Sequence, residues 1–362
     1  MRLTALQVWD FRIVARAALE PCAELNVITG VNGAGKTSLL DSIHFLATGR
    51  SFTGARPGVL VRGGGGPLRV TGRVSAGTAS GEHRLGVERG ARGGAVLRLD
   101  GANVRRMAEL ARQLPVVVVH PGSHELIAGG PAERRRLLDQ GLFHVEPGFH
   151  GVWQRYRRML AQRNALIRAG RPDRELGAWD RELAAAGAEL DVLREGYVAS
   201  LAECVAEMAP EIWGTGEVAV EYRRGWRAGQ TLLDALMSGR NRDRERFSTQ
   251  QGPHRADLVL QVDGADVRQR VSRGQQKLLA YLLRLAQVVQ FRRAGGDGCV
   301  LLLDDLPAEL DAQRAAAVLR AASGLGAQAF ISSLDGGALT LPAGAQRKVF
   351  HVEQGRVHEV IQ

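Results

Sequence analysis

Hydrophobic and polar positions alternate over the first thirty residues and close on Leu25-Asn26-Val27-Ile28-Thr29. That pattern predicts strands, the last of them buried. A Gly-rich loop follows, then a helix predicted from Lys36 to about Ala47, with Gly49 as its stop. Residues 59–104 are rich in Gly and hold short alternating runs such as Leu68-Arg69-Val70-Thr71 and Val96-Leu97-Arg98-Leu99. These predict antiparallel strands joined by tight turns. Pro115-Val116-Val117-Val118-Val119 predicts a second buried strand.

The middle of the chain changes period. Residues 131–145 read as a helix carrying Arg134, Arg135 and Arg136. From about Val152 the pattern is long and helical. Leu176, Trp179, Leu183, Ala186, Leu190, Leu193 and Tyr197 recur in alternating steps of three and four, as on a coiled-coil seam. Ala169-Gly170-Arg171-Pro172-Asp173 reads as the turn of an antiparallel helical hairpin, with Pro172 opening its second helix. A second helix over 175–208 would be roughly 50 Å long at 1.5 Å per residue. Arg155, Arg157, Arg158, Arg163 and Arg168 crowd the first helix, either as a solvated surface or as contacts to a polyanion.

After about residue 216 strands and helices alternate again. Asp257–Val262, Val300–Leu303 and Ala329–Ile331 predict strands, and 274–291 and 308–322 predict helices. Two α/β halves flanking a helical hairpin point to one head interrupted by an inserted arm.

Composition narrows the class without choosing within it. The 362 residues are 45% hydrophobic and 24% charged, enough for one large or two ordinary domains with a sizeable core. Lys plus Arg is 48 against 38 acidic residues, a formal charge of +10 that suits a polyanionic partner. Nearly all the basic residues are Arg, as a coding bias would also produce, so charge alone does not establish nucleic acid. Cys22, Cys204 and Cys299 show neither disulfide nor metal-ligand spacing and fit a reducing compartment. No apolar run approaches the roughly 20 residues that span a bilayer. The first residues open a strand rather than a leader, and the chain is expected in the cytoplasm, away from membranes.

Chemistry enters at Gly30-Val31-Asn32-Gly33-Ala34-Gly35-Lys36-Thr37, which matches G-x-x-x-x-G-K-T between a predicted strand and a predicted helix. Glycines let backbone N–H groups close around phosphates, and the helix N-terminus adds partial positive charge. Lys36 supplies a point charge for the β- and γ-phosphates, the Thr37 hydroxyl a ligand for Mg²⁺, and Ser38 a further nucleotide contact. Lys is rare in this chain, where only Lys36, Lys277 and Lys348 occur, so its presence here is informative. Val300-Leu301-Leu302-Leu303-Asp304-Asp305 supplies the complementary half: an apolar strand delivers Asp304 to Mg²⁺, and Asp305 stands where a carboxylate can orient or deprotonate the attacking water. Lys36 and Asp305 are the expected catalytic pair.

Val271-Ser272-Arg273-Gly274-Gln275-Gln276-Lys277 precedes a long helix shortly before the Asp pair. It reads either as a capped surface helix or, from its order in the chain, as the signature of an ABC-type ATPase. On the second reading Ser272, Gly274 and Gln275 bind the γ-phosphate held by another copy, and two heads sandwich two ATP molecules. The predicted fold is thus α/β, an α+β head of the ABC-type P-loop ATPase class over 1–125 and 245–362, with an inserted helical, coiled-coil-like arm over 126–244.

Across its whole length the chain resembles the RecF family of bacterial gap-repair recombination mediators, short-armed relatives of the SMC proteins. The resemblance rests on Gly49-Arg50-Ser51-Phe52, on Gly130-Pro131-Ala132-Glu133-Arg134-Arg135-Arg136-Leu137-Leu138-Asp139, and on Tyr156-Arg157-Arg158 followed by Gln162-Arg163-Asn164-Ala165-Leu166. Gly252-Pro253-His254-Arg255-Ala256-Asp257-Leu258 and Asp304-Asp305 with Glu309-Leu310-Asp311 complete it. The Pro-His-Arg and Glu-Arg-Arg-Arg stretches belong neither to transporters nor to generic P-loop enzymes. The resemblance implies ATP-dependent dimerisation at junctions of single- and double-stranded DNA. It also implies action with RecR and RecO to load RecA on DNA coated with single-stranded-DNA-binding protein, in support of replication restart and the SOS response.

Departures from the family pattern bear on rate. Pro121-Gly122-Ser123-His124 replaces the usual Pro-Glu-Asp-Leu before Glu125, and His120 falls near the position of a Mg²⁺-coordinating Gln. Pro307-Ala308 replaces Ala-Ser, Ile331-Ser332-Ser333 stands where many ABC enzymes have a γ-phosphate-sensing His, and Asp305 is shorter than the usual Glu. These features predict a slow, switch-like, DNA-stimulated ATPase. Two other readings compete: the nucleotide-binding subunit of an ABC transporter, and a scaffold that binds ATP but scarcely hydrolyses it. The long insertion between Lys36 and Asp304 and the lack of an evident coupling helix count against the transporter. Aromatic residues are only 5% of the chain, which argues against base stacking and for backbone-directed, salt-sensitive DNA binding.

Overall fold

Two layers of sheet enclose the helix that follows the Gly-rich loop. The computed structural model describes residues 1–63, 66–75, 81–92, 94–335, 339–340 and 344–360. The chain groups into two compact units, one formed by Met1–His124, Glu211–Gly214 and Ser272–Gln362, the other by Glu125–Pro210 and Thr215–Val271.

In the first unit the central sheet has six strands in the order Arg356–Val360, Arg347–Glu353, Leu25–Thr29, Gln328–Ser333, Val300–Leu303 and Val116–Val119. All but the outermost, Arg356–Val360, run parallel. Leu25–Thr29, Val300–Leu303 and Gln328–Ser333 are buried at every position, as strands covered on both faces must be. A second, antiparallel sheet has the order Val14–Leu19, Arg2–Phe11, Leu68–Ser75, Glu82–Arg89, Ala95–Leu99 and Ala102–Val104. Its strands alternate, with Leu3, Leu6, Val8, Val70 and Val74 inward and Arg69 and Arg73 outward. Some of the turns predicted within 59–104, at 64–65, 76–80 and 93, lie outside the described residues.

The helix Lys36–Thr48 is apolar nearly all round, burying Leu39, Leu40, Ile43, Phe45, Leu46 and Ala47, which is what a helix between two sheets requires. Phe45 meets Phe11 edge to face with centroids 5.5 Å apart. The helix ends where Gly49 turns left-handed at φ 66°, its N–H donating to the Phe45 carbonyl. The helix expected over 308–322 is two helices, Leu306–Glu309 and Ala312–Gly324. Asp311 separates them because its carboxylate accepts from the Arg314 N–H and caps the second.

The second unit is mostly helical. Pro131–Val145 precedes the hairpin of Phe149–Arg168 and Asp173–Ile212, the latter 40 residues long and about 60 Å from end to end. Gly170 supplies the left-handed turn at φ 64°. Leu176, Leu183, Ala186, Leu190 and Tyr197 of the predicted seam are buried. Residues 245–271, expected with the head, fall in this unit, since Asp257–Val262 pairs antiparallel with Val218–Arg223 over six residues.

Arg163 fits neither reading of the arginines on that first helix, a solvated surface or contacts to a polyanion. It is wholly buried, donating to Asp180 at 2.7 Å and to Asp243 at 2.6 Å, with a further bond to the Thr249 hydroxyl at 2.8 Å. Asp180 takes a second guanidinium from Arg240 at 2.6 Å. A buried charge persists only with its bonds satisfied in this way.

Candidate functional site

Three adjacent parallel strands end side by side, and the Gly-rich loop, Ser332-Ser333 and Asp304-Asp305 leave from their carboxyl ends. In open α/β sheets this edge is where ligands bind. A cleft of about 360 Å³ opens there, lined by Arg12, Ile13, Asn32, Gly33, Gly35, Lys36, Thr37, Ser38, Asp304, Asp305 and Ser332.

The loop conformation depends on its glycines. At Gly30, φ is 145° and a Cβ would lie 2.3 Å from the Val352 carbonyl oxygen; at Gly35, φ is 120° and a Cβ would lie 3.1 Å from Ile13. Ala34 is buried, and its carbonyl accepts from the Gly355 N–H at 2.8 Å, which ties the loop to the hairpin of the central sheet. Val31 is exposed. The helix starting at Lys36 has no side-chain cap and no acidic residue in its first turn, so its N-terminal dipole faces the cleft uncompensated. Lys36 is buried and folds back on the loop, donating to the Gly30 carbonyl at 2.7 Å and to the Val31 carbonyl at 3.2 Å. An ammonium so placed can exchange carbonyl oxygens for phosphate oxygens without entering water.

On the facing wall, the Thr37 hydroxyl donates to both oxygens of Asp304, at 3.1 and 3.0 Å. Ser332 donates to Asp304 at 2.7 Å and accepts from the Asp305 N–H at 2.8 Å, joining the two acidic residues through one hydroxyl. Burial pushes the Asp304 carboxyl up from its ordinary value, against the pull of its bonds to Ser332 and Thr37; neighbouring Asp305 raises it further and Lys36 lowers it. A desolvated carboxylate beside a hydroxyl is a hard oxygen pair, the donor set that Mg²⁺ takes alongside water and phosphate. These residues therefore fit a divalent cation. Asp305 holds a left-handed backbone at φ 58°, as Asp10, Asp100 and Asp263 also do, a conformation that Asp adopts more readily than most residues.

Thus Asn32, Gly33, Gly35, Lys36, Thr37, Ser38, Asp304 and Asp305 share one cleft, and the Gly30 carbonyl lies against Lys36. Ser272, Gly274 and Gln275 do not line it. They form the start of Arg273–Arg293, where Ser272 and Gln275 cap each other reciprocally at 2.8 and 3.3 Å. His120 does not line it either. Its Nδ1 accepts from the Gly122 N–H at 3.2 Å, Phe52 packs 5.3 Å from it, and burial lowers its pKa to about 4.

Sequence reasoning missed Arg12, and placed Ser332 only as a departure from the family without its bonds to Asp304 and Asp305. Arg12 sits in the left-handed turn of the first hairpin at φ 53°, and its guanidinium lies 3.4 Å from buried Asp41, on the inner helix. Asp41 also accepts from the Ser51 hydroxyl at 2.6 Å and the Phe52 N–H at 2.9 Å, so the Gly49–Phe52 stretch positions a cleft arginine indirectly. Nothing in the spacing of Arg12 would single it out among 48 basic residues.

The remaining family-like stretches meet in the second unit. Arg134 donates to Asp257 at 2.7 Å and Arg135 to the Ala256 carbonyl at 2.7 Å. Arg194 joins Asp139 at 2.6 Å to the Pro253 carbonyl at 2.6 Å. His254 lies 2.9 Å from the Thr249 carbonyl through Nε2, which must therefore carry the proton, leaving Nδ1 to accept from Tyr156 at 2.7 Å. Among the described residues, no cluster of three His, Cys, Asp or Glu is placed to hold a metal, and no helix is long and apolar enough to cross a membrane.

Comparison with known proteins agrees with this architecture. The RecF/RecN/SMC N terminal domain family matches residues 2–358. The DNA replication and repair protein RecF of Thioalkalivibrio sulfidiphilus is 41% identical over 355 residues, covering 98% of each chain. RecF of Pseudomonas aeruginosa is 39% identical over 368 residues, covering 99% of this chain and 98% of its own. A solved structure of the recombination mediator protein RecF-ATPrS in the RecFOR pathway matches with a TM-score of 0.87 and 26% identity, over 99% of this chain and 98% of that one. The Smc head bound to the C-winged helix domain of ScpA shares the fold, with a TM-score of 0.63 and 15% identity.

Proposed function

The chain belongs to the RecF family, within the RecF/RecN/SMC group of ABC-type ATPases, and from that premise we propose that it is a DNA-repair mediator in which ATP closes two copies into a clamp on DNA. The observation that carries this reading is Gly274. Its φ is not positive, and a Cβ there would meet no atom within 4 Å, so nothing inside the chain requires glycine. Glycine inside a helix costs roughly 0.5–1 kcal/mol against Ala, and close approach by another molecule is a reason to keep it at this exposed position. Ser272 and Gly274 are exposed and lie outside the cleft, as residues would be that complete the nucleotide site of a second copy.

In this account the loop N–H groups and Lys36 would hold the phosphates of ATP, and Thr37 and Asp304 would hold Mg²⁺. The cation supplies charge neutralisation and orientation of the phosphates. Asp305 orients the attacking water and accepts its proton, with Ser332 fixing its backbone. ATP touches both copies only when the clamp is closed, so by linkage it must favour the closed state. Hydrolysis then releases the clamp. The absence of a γ-phosphate-sensing His and the short reach of Asp305 favour a slow, DNA-stimulated turnover. The polyanion that the +10 charge suits is DNA at single-strand/double-strand junctions, held by its backbone. The name of the RecFOR structures supports action in a pathway with RecO and RecR, and the outcome proposed for it is loading of RecA on coated single strands.

The test is a RecA-loading assay on gapped duplex coated with single-stranded-DNA-binding protein, with RecO and RecR present. Addition of this chain with ATP should shorten the lag of filament assembly; ADP or Lys36→Ala should not. No shortening under any nucleotide would sink the mediator reading. The transporter alternative is not favoured by the comparisons.

A further inference from the structure

The outward face of the antiparallel sheet carries charge that the chain does not neutralise. Register pairing fixes which side chains share that face: Trp9 opposes Arg16 and Arg69, Arg73 opposes Arg84, and Arg98 opposes Gly86 and Asn103. Two acidic residues lie among them. Glu88 is taken up by Arg69 at 2.9 Å and Glu82 by Arg73 at 3.8 Å. At the strand end, Asp100 is engaged by His83 at 2.8 Å and by the Arg84 backbone N–H at 2.7 Å. Among the described residues, the exposed Arg16, Arg84 and Arg98 have no carboxylate in ion-pair range.

A solvated sheet face ordinarily opposes unlike charges across strands, since like charges directly opposite destabilise the pair. Arg73 opposite Arg84 breaks that rule; Glu82 offsets Arg73, while among the described residues Arg84 has only the field of Asp100 and no carboxylate in ion-pair range. An anion from outside would offset it. The face spans six strands, so five spacings of about 4.8 Å make it about 24 Å wide, room for about seven base-pair rises of 3.4 Å. Among the described residues it is a pleated surface with no helix or ribbon standing out to enter a groove, and Trp9 is half-buried under Arg69, whose guanidinium lies 5.9 Å from the ring centroid. It therefore offers neither base readout nor a stacking platform.

We infer that this sheet face, through Arg16, Arg84 and Arg98, is a docking surface for the phosphate backbone of duplex DNA. The inference rests on the DNA-binding reading above and assigns it a place. Each phosphate contact contributes about −0.9 to the slope of log K against log salt.

The experiment is fluorescence anisotropy of a labelled 20-base-pair duplex of random sequence, titrated at several salt concentrations. It uses the wild-type chain, Arg84→Gln/Arg98→Gln, the charge-keeping Arg84→Lys/Arg98→Lys, and a control, Arg347→Gln/Arg356→Gln, that removes the same charge from exposed positions of the central sheet. The face variant should lose about 1.8 from the slope and bind at least about tenfold more weakly at low salt, while the Lys variant and the control keep the slope. Unchanged thermal unfolding and ATP binding would show that the variants fold. A face variant with the wild-type slope, or a control that loses as much, overturns the assignment. Wild type that binds duplex without salt dependence, or not at all, overturns the DNA-binding reading itself.

Discussion

The Thr37 hydroxyl donates to the Asp304 carboxylate at 3.0 Å although 267 residues separate them. The contact closes the head: a residue from the first helix and one from the end of a late strand form one oxygen pair. Burial holds the Asp304 carboxyl above its ordinary pKa, so keeping it ionised in the free protein costs stability. The sign follows from linkage: a raised folded-state pKa contributes stability below the unfolded value, near 3.9, and loses it as pH rises through the folded value. At neutral pH Asp304→Asn should therefore raise the Tm of the nucleotide-free chain, while abolishing the further rise that Mg²⁺ and ATP give to wild type. Differential scanning calorimetry checks both. A variant that is less stable when free contradicts the cost of burying the charge, and one still responsive to Mg²⁺ with ATP contradicts the cation role.

Among the described residues, Lys36 is the one ammonium lining the cleft. Lys36→Ala removes charge-assisted bonds of about 2–3 kcal/mol, which corresponds to roughly 30- to 150-fold weaker ATP binding. Isothermal titration gives the number. Affinity within a few-fold of wild type would mean that the phosphates sit elsewhere.

Gly274→Ala separates folding from assembly. With no atom within 4 Å of the added methyl, the free chain should gain roughly 0.5–1 kcal/mol by urea unfolding. ATP-dependent dimerisation should weaken, because the methyl occupies the space through which the helix start approaches a phosphate on the other copy. Stabilisation without any loss of dimer would remove the argument from Gly274.

Acid should destabilise this protein through three partly buried histidines. Burial lowers His44, His120 and His254 to about 4 each. Unfolded, each returns to about 6.5 and binds a proton that the folded state refuses. The stability they protect is present above about pH 6.5 and is lost as pH falls towards 4, each contributing about 1.4 kcal/mol per pH unit across that window. Urea unfolding at pH 5 and pH 7 should show an uptake of between about two and three protons at pH 5. A flat profile would contradict the burial of these rings.

The sequence made the two ends of the head legible for different reasons. Gly30–Thr37 and Val300–Asp305 are local patterns whose chemistry depends on neighbouring residues, so spacing alone places them. Val300–Leu303 is apolar throughout and Leu25–Thr29 at Leu25, Val27 and Ile28, and full burial on both faces is the physical cause. Arg12 was invisible because its role comes from a hairpin turn that brings it to Asp41, a relationship made only in three dimensions. Arg163 misled because an arginine in an Arg-rich helix reads as exposed, and its partners Asp180 and Asp243 come from two other helices. The break at Asp311 was missed because helical periodicity continues across it, while the cap that breaks the helix depends on one side chain.

Light scattering of the chain with and without ATP tests the clamp most directly, with Asp305→Asn to block hydrolysis and Ser272→Arg to block the second face of the sandwich. The account predicts that ATP shifts wild type from monomer to dimer, that Asp305→Asn holds the dimer and gapped duplex strengthens it, and that Ser272→Arg binds ATP yet remains monomeric. Mass unchanged by ATP in Asp305→Asn, or a Ser272→Arg dimer that forms as readily as wild type, would contradict it.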